Sequence, residues 1–338
     1  MHNFTRLLIP FAAVVLFLSA CIAAPRLDAP PTIVLEIPTV KASQPLPTAL
    51  PTSLPTSTAT ARPIETHTPA PTPTLLPTAT PECQDVAGTV TEIDVPSPTA
   101  DYPMRTRVYL PPCYEARPDL AYPVLYLLHG RGHTQATWDE IGVNEAADQL
   151  IASDAAPPFL IVMPREVGGD RFGDAVVIDL IPVIEANFRA IDSRDYRALG
   201  GMSRGGGWTL RIGLQYLQTF GALGFHSLAI FFVDEVRVNG WIDDVPESEL
   251  LQIYIDIGEV DDLIISAEFL HELLEDKGIT HTFIVQPGGH STAYWSAHVE
   301  EYLRWYAAAW GSAPFNLQDV EQSESGCDDT CRGLLPTR

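Results

Sequence analysis

Apolar runs and amphipathic stretches alternate along the chain from about residue 83 to residue 310. Continuous apolar runs that end at turn residues, such as YPVLYLLHG, are typical of strands buried on both faces of a sheet. Predicted strands occupy residues 88–95, 105–112, 122–130, 159–164, 196–203, 250–258 and 280–289. The stretches between them, with apolar residues at helical spacing, predict helices over residues 144–153, 174–191, 205–220, 263–278 and 292–310.

Strands that alternate with helices predict an α/β fold, in which a mostly parallel central sheet is covered by helices on both faces. The predicted helix over residues 174–191 carries an apolar stripe that should face the sheet. The stripe consists of Val176, Ile178, Leu180, Ile181 and Ile184.

The start of the chain has the features of an export signal. Arg6 precedes an apolar run from Leu7 to Leu18, which has the length of a signal-peptide core and is short for a membrane span. The next residues, LSAC, resemble the lipobox of bacterial lipoproteins, whose cysteine carries the lipid. We expect a lipoprotein signal peptide over residues 1–20, lipidation at Cys21 and an extracytoplasmic, membrane-anchored chain. An ordinary secretory signal is the alternative.

Two further segments have little hydrophobic pattern. Residues 21–82 repeat proline and threonine, which predicts a disordered spacer with extended polyproline conformation. Residues 313–338 are polar and read as a C-terminal tail. One domain over residues 83–312 therefore holds all the predicted helices and strands.

Charge narrows the range of partners. The 338 residues include 20 Lys plus Arg and 43 Asp plus Glu, a net charge of −23. So acidic a chain repels phosphate backbones, and we expect no nucleic-acid partner.

The cysteine positions predict disulfides rather than a metal site. Four cysteines follow Cys21, and an even number in an exported chain permits disulfides. Cys83 and Cys113 flank a predicted strand pair that would bring them together; Cys327 and Cys331 would form the second pair. CDDTC has no second ligand pair at zinc-like spacing, so we expect no metal.

The segment GMSRG fits the nucleophile motif G-x-S-x-G, with Ser203 at its centre and glycines at 201 and 205. A side chain at either glycine would collide in so tight a turn. The motif lies between a predicted strand and a predicted helix, which is the context it requires. Ser203 is therefore the candidate nucleophile.

A serine hydroxyl needs a base, and the base needs an acid that orients it. His290 follows the last buried strand directly and is the candidate base. Asp261 follows the preceding strand and is the candidate acid, with Asp262 as the alternative. Asp256 lies within that strand and is interpreted as structural.

Acyl transfer also needs hydrogen-bond donors for the developing oxyanion. We expect the backbone N–H groups of Arg204, directly after the nucleophile, and of Arg131, in the loop HGRGHTQATW. His133 and Trp138 in that loop are candidate substrate contacts. For His133 the alternative is solvent exposure. For Trp138 a packing role is favoured over a substrate contact.

Several of these segments together resemble the esterase family of α/β hydrolases over about residues 86 to 310. They are YPVLYLLHGRG, DLIPVIEANFR, LGGMSRGG, IDIGEVDD and PGGH with the following YW. The family includes feruloyl and acetylxylan esterases, S-formylglutathione hydrolases, enterochelin esterases and mycolyltransferases. The resemblance implies Ser203 as nucleophile, His290 as base and Asp261 as acid. Arg204 departs from the family's usual Met or Gln, and the short stretch after FHSLAIF implies a modest lid.

We therefore expect an extracytoplasmic serine esterase that needs no cofactor and cleaves a small or polysaccharide-linked ester, such as a feruloyl or acetyl ester. An acyltransferase would use the same triad and is the first alternative. A non-catalytic surface binding module is the second.

Overall fold

A computed structural model describes residues 83–246 and 251–311, together with the backbone of a two-residue strand, Phe315–Asn316. The predicted signal peptide, Cys21, the spacer 21–82, the Cys327–Cys331 pair and nearly all of the tail 313–338 lie outside the described residues. Within the described ranges, every helix is too short or too polar to span a lipid bilayer.

Eight of the ten described strands build one sheet, and the other two, Leu120–Ala121 and Phe315–Asn316, pair antiparallel with each other. In chain order the eight strands of the sheet are β1 (Thr89–Val95), β2 (Met104–Leu110), β3 (Val124–Leu128), β4 (Leu160–Pro164), β5 (Arg197–Met202), β6 (Ala222–His226), β7 (Gln252–Gly258) and β8 (Thr282–Gln286). They lie side by side in the order β1-β2-β4-β3-β5-β6-β7-β8. β2 is antiparallel to both of its neighbours, and the pairs from β4 to β8 are all parallel. The predicted mostly parallel sheet is thereby confirmed.

The central strands are buried on both faces, which explains their continuous apolar runs. Along β3, Tyr126 and Leu128 point into one hydrophobic core. The alternate residues Leu125 and Leu127 point into the other core. All four side chains are at most 2% exposed, because side chains of a strand alternate between its faces and both faces are covered here.

Helices cover both faces, as predicted. They are α1 (Thr137–Glu140), α2 (Val143–Ala152), α3 (Phe172–Ala175), α4 (Ile181–Asn187), α5 (Arg204–Gln215), α6 (Val238–Asp243), α7 (Ile264–Asp276) and α8 (Thr292–Ala308), with short 3₁₀ turns at Gly169–Arg171 and Arg194–Tyr196. α1, α2 and α8 pack in the core that contains Leu125. α3 to α7 pack in the core that contains Tyr126.

The helix predicted over residues 174–191 differs from the structure in two ways. A π-helical turn at Val176–Leu180 joins α3 to α4, and the helix ends at Asn187. Pro182 has no N–H to donate to the preceding turn, and the wider π turn lies directly before it. Ile178 is 56% exposed while the other four stripe residues are buried, because a residue two positions after Val176 lies on the opposite face of a helix. Its predicted place in the stripe is therefore wrong.

Strand β6, the short helices α1 and α6 and the two-residue strands Leu120–Ala121 and Phe315–Asn316 were not predicted from the sequence. The β6 sequence, ALGFH, has no β-branched residue and contains a glycine, so it lacks the usual strand signature. All five residues are nevertheless buried, and β6 lies in the middle of the parallel sheet between β5 and β7.

The predicted disulfide between Cys83 and Cys113 is confirmed. It connects the start of the described domain to the turn after β2, across 30 residues of sequence. Closing such a loop restricts the unfolded chain and stabilises the domain by about 3.6 kcal/mol in the chain-entropy account.

Candidate active site

The candidate site lies at the carboxyl edge of the parallel sheet, where loops after different strands meet. Ser203 follows β5, Asp261 follows β7 and His290 follows β8. The loop with Gly130 and Arg131 follows β3. These residues are far apart in sequence, and the strand order brings them together.

Ser203 occupies a strained turn between β5 and α5. Its φ of 55° and ψ of −119° are rarely adopted by a residue with a side chain. A Cβ on Gly201 would lie 2.3 Å from the carbonyl carbon of Gly205, and one on Gly205 would lie 2.2 Å from the carbonyl oxygen of Leu128. Both flanking positions therefore require glycine, and the turn holds the hydroxyl clear of its own backbone.

The end of β6 fixes this turn through backbone hydrogen bonds. The N–H of Ser203 donates to the carbonyl oxygen of His226 at 2.8 Å. The Ser203 carbonyl accepts from the N–H of Ala229 at 3.0 Å and from that of Gly207 at 3.2 Å. These bonds compensate part of the strain at Ser203.

His290 is positioned to act on the hydroxyl. Its Nε2 lies 2.8 Å from the Oγ of Ser203, and its Nδ1 lies 3.0 Å from each carboxylate oxygen of Asp261. With Nδ1–H donating to the carboxylate, Nε2 is free to accept the serine proton. The structure thus brings the three predicted catalytic residues into one hydrogen-bonded chain.

Asp261 is held firmly. It is 3% exposed, and one of its oxygens also accepts the N–H of Leu263 at 2.8 Å. Asp262, the alternative acid, is exposed to solvent, whereas both contacts to His290 come from Asp261. The alternative is therefore wrong, because the turn after β7 points the two neighbouring carboxylates in different directions.

The loop after β3 lies against the nucleophile. A Cβ on Gly130 would lie 3.3 Å from the Cβ of Ser203. His129 anchors the loop: its Nδ1 bonds the Gly130 carbonyl at 2.8 Å, and its Nε2 accepts the N–H of Glu166 at 3.0 Å. Burial lowers the pKa of His129, which keeps the ring neutral as this pair of bonds requires.

The two predicted oxyanion donors border the same space. Arg131 directly follows Gly130, and Arg204 is the first residue of α5. N–H groups in the first turn of a helix have no partner within the helix, so the Arg204 N–H is available to an oxyanion. That either N–H performs this role stays a prediction.

The side chain of Arg204 has a partner that sequence reasoning missed. Its Nε lies 2.9 Å and 3.0 Å from the two carboxylate oxygens of Glu166. Its guanidinium also lies 5.0 Å from the ring centroid of Phe231. Glu166 is 38 residues away in sequence, and no local pattern links the two positions.

The two predicted substrate contacts have different fates. Trp138 is 1% exposed, and its Nε1–H donates to the carbonyl of Leu128 at 3.1 Å. It packs in the core, as the sequence favoured, and the candidate substrate contact at Trp138 is wrong. His133 is half-buried and lines a cavity together with Gly130 and Arg204, and its contact with substrate stays a prediction.

Trp295 is a further site residue that the sequence did not identify. Its ring packs edge-on against the ring of His290, with centroids 5.1 Å apart. Its Nε1–H donates to the hydroxyl of Ser227 at 3.1 Å. Trp295 therefore connects the base to the chain just after β6.

Two open cavities flank the nucleophile. One, of about 370 Å³, is bordered by the loop after β3 and by Arg204. The other, of about 310 Å³, is lined by Trp208, Phe231 and Phe232 and shares Arg131 and Arg204 with the first. Both volumes lie in the range of small-molecule sites.

The sheet order, the strained serine and the hydrogen-bonded triad define an α/β-hydrolase fold with the site geometry of a serine hydrolase. The family model described as "Putative esterase" matches residues 97–306. The chain belongs to this esterase family, and the resemblance found in its sequence is confirmed.

Two curated proteins match part of the chain. An endo-1,4-beta-xylanase/feruloyl esterase of Xylanibacter ruminicola is 35% identical over 129 residues, which cover 34% of this chain and 18% of that protein. An esterase of Mycobacterium tuberculosis is 34% identical over 121 residues, 31% of this chain and 25% of that protein. The matched segment is thus a minor part of both relatives.

Solved structures share the fold. A ferulic acid esterase superposes with a TM-score of 0.61 at 24% identity, covering 66% of this chain and 99% of that one. S-formylglutathione hydrolase from Staphylococcus aureus gives 0.56 at 17% identity, covering 65% and 98%. The ferulic acid esterase of Anaeromyces mucronatus in complex with ferulic acid gives 0.57 at 21% identity, covering 67% and 93%.

Proposed function

We propose that this chain is a serine esterase that cleaves carboxylic esters through an acyl-enzyme on Ser203. The observation that carries the proposal is the continuous hydrogen-bonded chain from the Ser203 hydroxyl through His290 to the buried Asp261. Membership of the esterase family supports the same activity. The turn, the base and the acid come from three different strand ends, and together they supply what acyl transfer to serine requires.

In the first half-reaction, Nε2 of His290 takes the hydroxyl proton while Oγ of Ser203 attacks the ester carbonyl carbon. The carbonyl oxygen becomes an oxyanion, which the N–H groups of Arg131 and Arg204 stabilise; one such donor typically contributes about 10²–10³ in rate. The carboxylate of Asp261 stabilises the imidazolium. His290 then protonates the departing alcohol, and the acyl group remains on Ser203.

In the second half-reaction, a water molecule replaces the alcohol. His290 takes one water proton as the hydroxide attacks the acyl carbonyl, and the same oxyanion donors act again. Collapse of this intermediate returns the proton to Ser203 and releases the carboxylic acid. An alcohol that entered in place of water would give a new ester instead.

For the substrate, we propose an acyl decoration of polysaccharide, such as a feruloyl or acetyl ester. A relative of this chain is named for both xylanase and feruloyl esterase activity. In the cavity bordered by Arg131 and Arg204, the half-buried Phe231 and the exposed Phe232 offer aromatic surface to a ring-bearing acyl group.

We also propose that the protein works outside the cytoplasm, anchored to a bacterial membrane through lipid on Cys21. The apolar run before LSAC and the proline- and threonine-rich spacer support this placement. The Cys83–Cys113 disulfide is consistent with an oxidising compartment. Labelling with radioactive palmitate in a bacterial host, lost in Cys21→Ala, tests the anchor.

The activity is tested with methyl ferulate and p-nitrophenyl acetate on the purified protein and on Ser203→Ala. We expect the wild type to release acid from at least one ester and Ser203→Ala to lose that activity. A fluorophosphonate probe should label the wild type only. Failure of the folded wild type to be labelled would contradict the esterase and favour a binding module.

Product analysis with added glycerol separates hydrolysis from transfer. We expect free acid as the main product. A dominant glycerol ester would assign the chain to acyltransferases that use the same triad.

A further inference from the structure

Two arginines next to the candidate active site have no carboxylate of the described residues within 4.0 Å. The described ranges contain fourteen lysines and arginines, and eleven of these form an ion pair within 4.0 Å. The remaining three are Arg131, Arg165 and Arg189. Arg189 is committed elsewhere, because its guanidinium stacks 3.6 Å above the ring of Tyr114 and bonds the Tyr114 carbonyl.

Arg131 and Arg165 line the same cavity. It has a volume of about 370 Å³ and is also bordered by Gly130 and Arg204, the immediate neighbours of the nucleophile. Both arginines are exposed to solvent. The two unpaired guanidinium groups therefore lie where a bound substrate would extend from Ser203.

The two carboxylates near this cavity, Glu166 and Asp170, already lie close to other arginines. Glu166 lines it and is bound by both Nε and Nη2 of Arg204. Asp170, beside the neighbouring cavity, lies 3.8 Å from Arg211. The charge left over is positive, in a chain whose net charge is −23. A local positive site on so acidic a protein selects anions from their surroundings.

We propose that Arg131 and Arg165 form a subsite for a carboxylate group carried by the ester substrate. This inference rests on the proposed function, and it specifies in addition that the ester substrate is negatively charged. A guanidinium offers paired N–H donors that match the two oxygens of a carboxylate. The substrate class is thus an ester whose acyl or alcohol part bears a free acid.

Matched substrate pairs test this. For the alcohol part, 4-acetoxybenzoate is compared with 4-acetoxybenzamide. For the acyl part, the p-nitrophenyl monoester of succinic acid is compared with the p-nitrophenyl ester of succinamic acid. The readout is the ratio of kcat/KM for the charged ester to that for its neutral partner, which cancels a general loss of activity in a variant.

In the wild type we expect this ratio to reach about tenfold for at least one pair, as for a hydrogen bond to a charged group. Arg131→Gln and Arg165→Gln should each lower this ratio about threefold or more. Added salt should lower the ratio of the wild type, because it screens the charges. Arg304→Gln is the matched control. It removes the same charge from α8, where the guanidinium pairs with Glu300, and should leave the ratio unchanged.

A wild-type ratio at or below one for both pairs would overturn the subsite, as would a ratio that neither site variant changes. In either case hydrolysis of the neutral esters would leave the proposed function standing. If no ester were hydrolysed, calorimetric binding to Ser203→Ala would still decide the subsite. It survives only if 4-acetoxybenzoate binds more tightly than the amide and Arg131→Gln in that background removes the difference.

Discussion

The described domain contains two histidine–aspartate pairs, one at the edge of the sheet next to Ser203 and one buried in the core. In the triad, Nδ1 of His290 lies 3.0 Å from Asp261. In the core, Nδ1 of His226 lies 2.7 Å from Asp256, and the two residues are register neighbours on β6 and β7. The same pair of side chains therefore occurs twice, and the difference lies in what the second ring nitrogen contacts.

Nε2 of His290 faces the Ser203 hydroxyl in a side chain that is 30% exposed. Nε2 of His226 instead lies 3.0 Å from the hydroxyl of Tyr306, and His226 and Asp256 are fully buried. The hydroxyl of Tyr306 is fully buried in the core, so no substrate reaches it. Burial, reinforced by the charge of Asp256, also raises the pKa of Tyr306 far above its usual value. Surroundings, not residue identity, separate a catalytic pair from a structural one.

The buried pair is fully satisfied by hydroxyl donors. The second carboxylate oxygen of Asp256 accepts from Tyr302 at 2.7 Å and from Tyr294 at 2.9 Å. The ring of His226 stacks on that of Tyr302, with centroids 3.8 Å apart. The sequence interpretation of Asp256 as a structural residue agrees with these buried hydrogen bonds. The network stabilises the β6 end that fixes the Ser203 turn.

The largest effect should come from the triad base. His290→Ala should lower kcat by about 10⁴–10⁶-fold, because no other group can take the serine proton. Its free energy of unfolding should change by less than about 1 kcal/mol, since the side chain is partly exposed. Ester hydrolysis and urea denaturation measure the two quantities. If His290→Ala kept its activity, His290 would not be the catalytic base.

The acid should come next. Asp261→Asn should lower kcat by about 10³–10⁴-fold, since an amide no longer fixes the tautomer of His290 or stabilises its charge. Asp262→Asn makes the same change at the next residue, which is exposed, and should stay within about twofold of the wild type. Equal losses in the two variants would contradict the assignment of Asp261.

The buried histidine should show the reverse of the His290 pattern. His226→Ala leaves the carboxylate of Asp256 partly unpaired in the core and should lower the free energy of unfolding by about 3–5 kcal/mol. The alanine keeps the backbone carbonyl that accepts the Ser203 N–H, so kcat per folded molecule should fall less than about tenfold. Urea denaturation and active-site titration separate the two effects. If His226→Ala lost as much activity as His290→Ala, the assignment of His226 as a structural residue would be wrong.

Much of the candidate site could be predicted because its signals are local. The glycines around Ser203 and the apolar runs before each loop are short patterns with direct physical causes. The pairing of Arg204 with Glu166 and of His226 with Asp256 could not be predicted in the same way. Both depend on which strands become neighbours, and β6 itself has no strand signature in its sequence.

Trp138 shows the same limit on a smaller scale. Its segment leads to the nucleophile, so the sequence left a substrate contact open beside the favoured packing role. The side chain instead turns into the core, with its ring edge-on to His226 at 5.7 Å. Trp138 lies in the short helix α1, which the sequence did not predict, and the direction of its side chain depends on that helix.

The exposure of His129 lies between those of His226 and His290, and its substitution should change stability and activity the least. It is 7% exposed, and burial lowers its pKa from the usual value of 6.5. The unfolded chain therefore binds this proton more readily than the folded chain, so the free energy of unfolding should fall as pH decreases below about 6.5, by at most about 1.4 kcal/mol per pH unit. His129→Gln should remove that part of the slope. Urea denaturation of both proteins at pH 7.5, 6.5 and 5.5 measures it, and parallel curves would show that His129 does not lose proton affinity on folding.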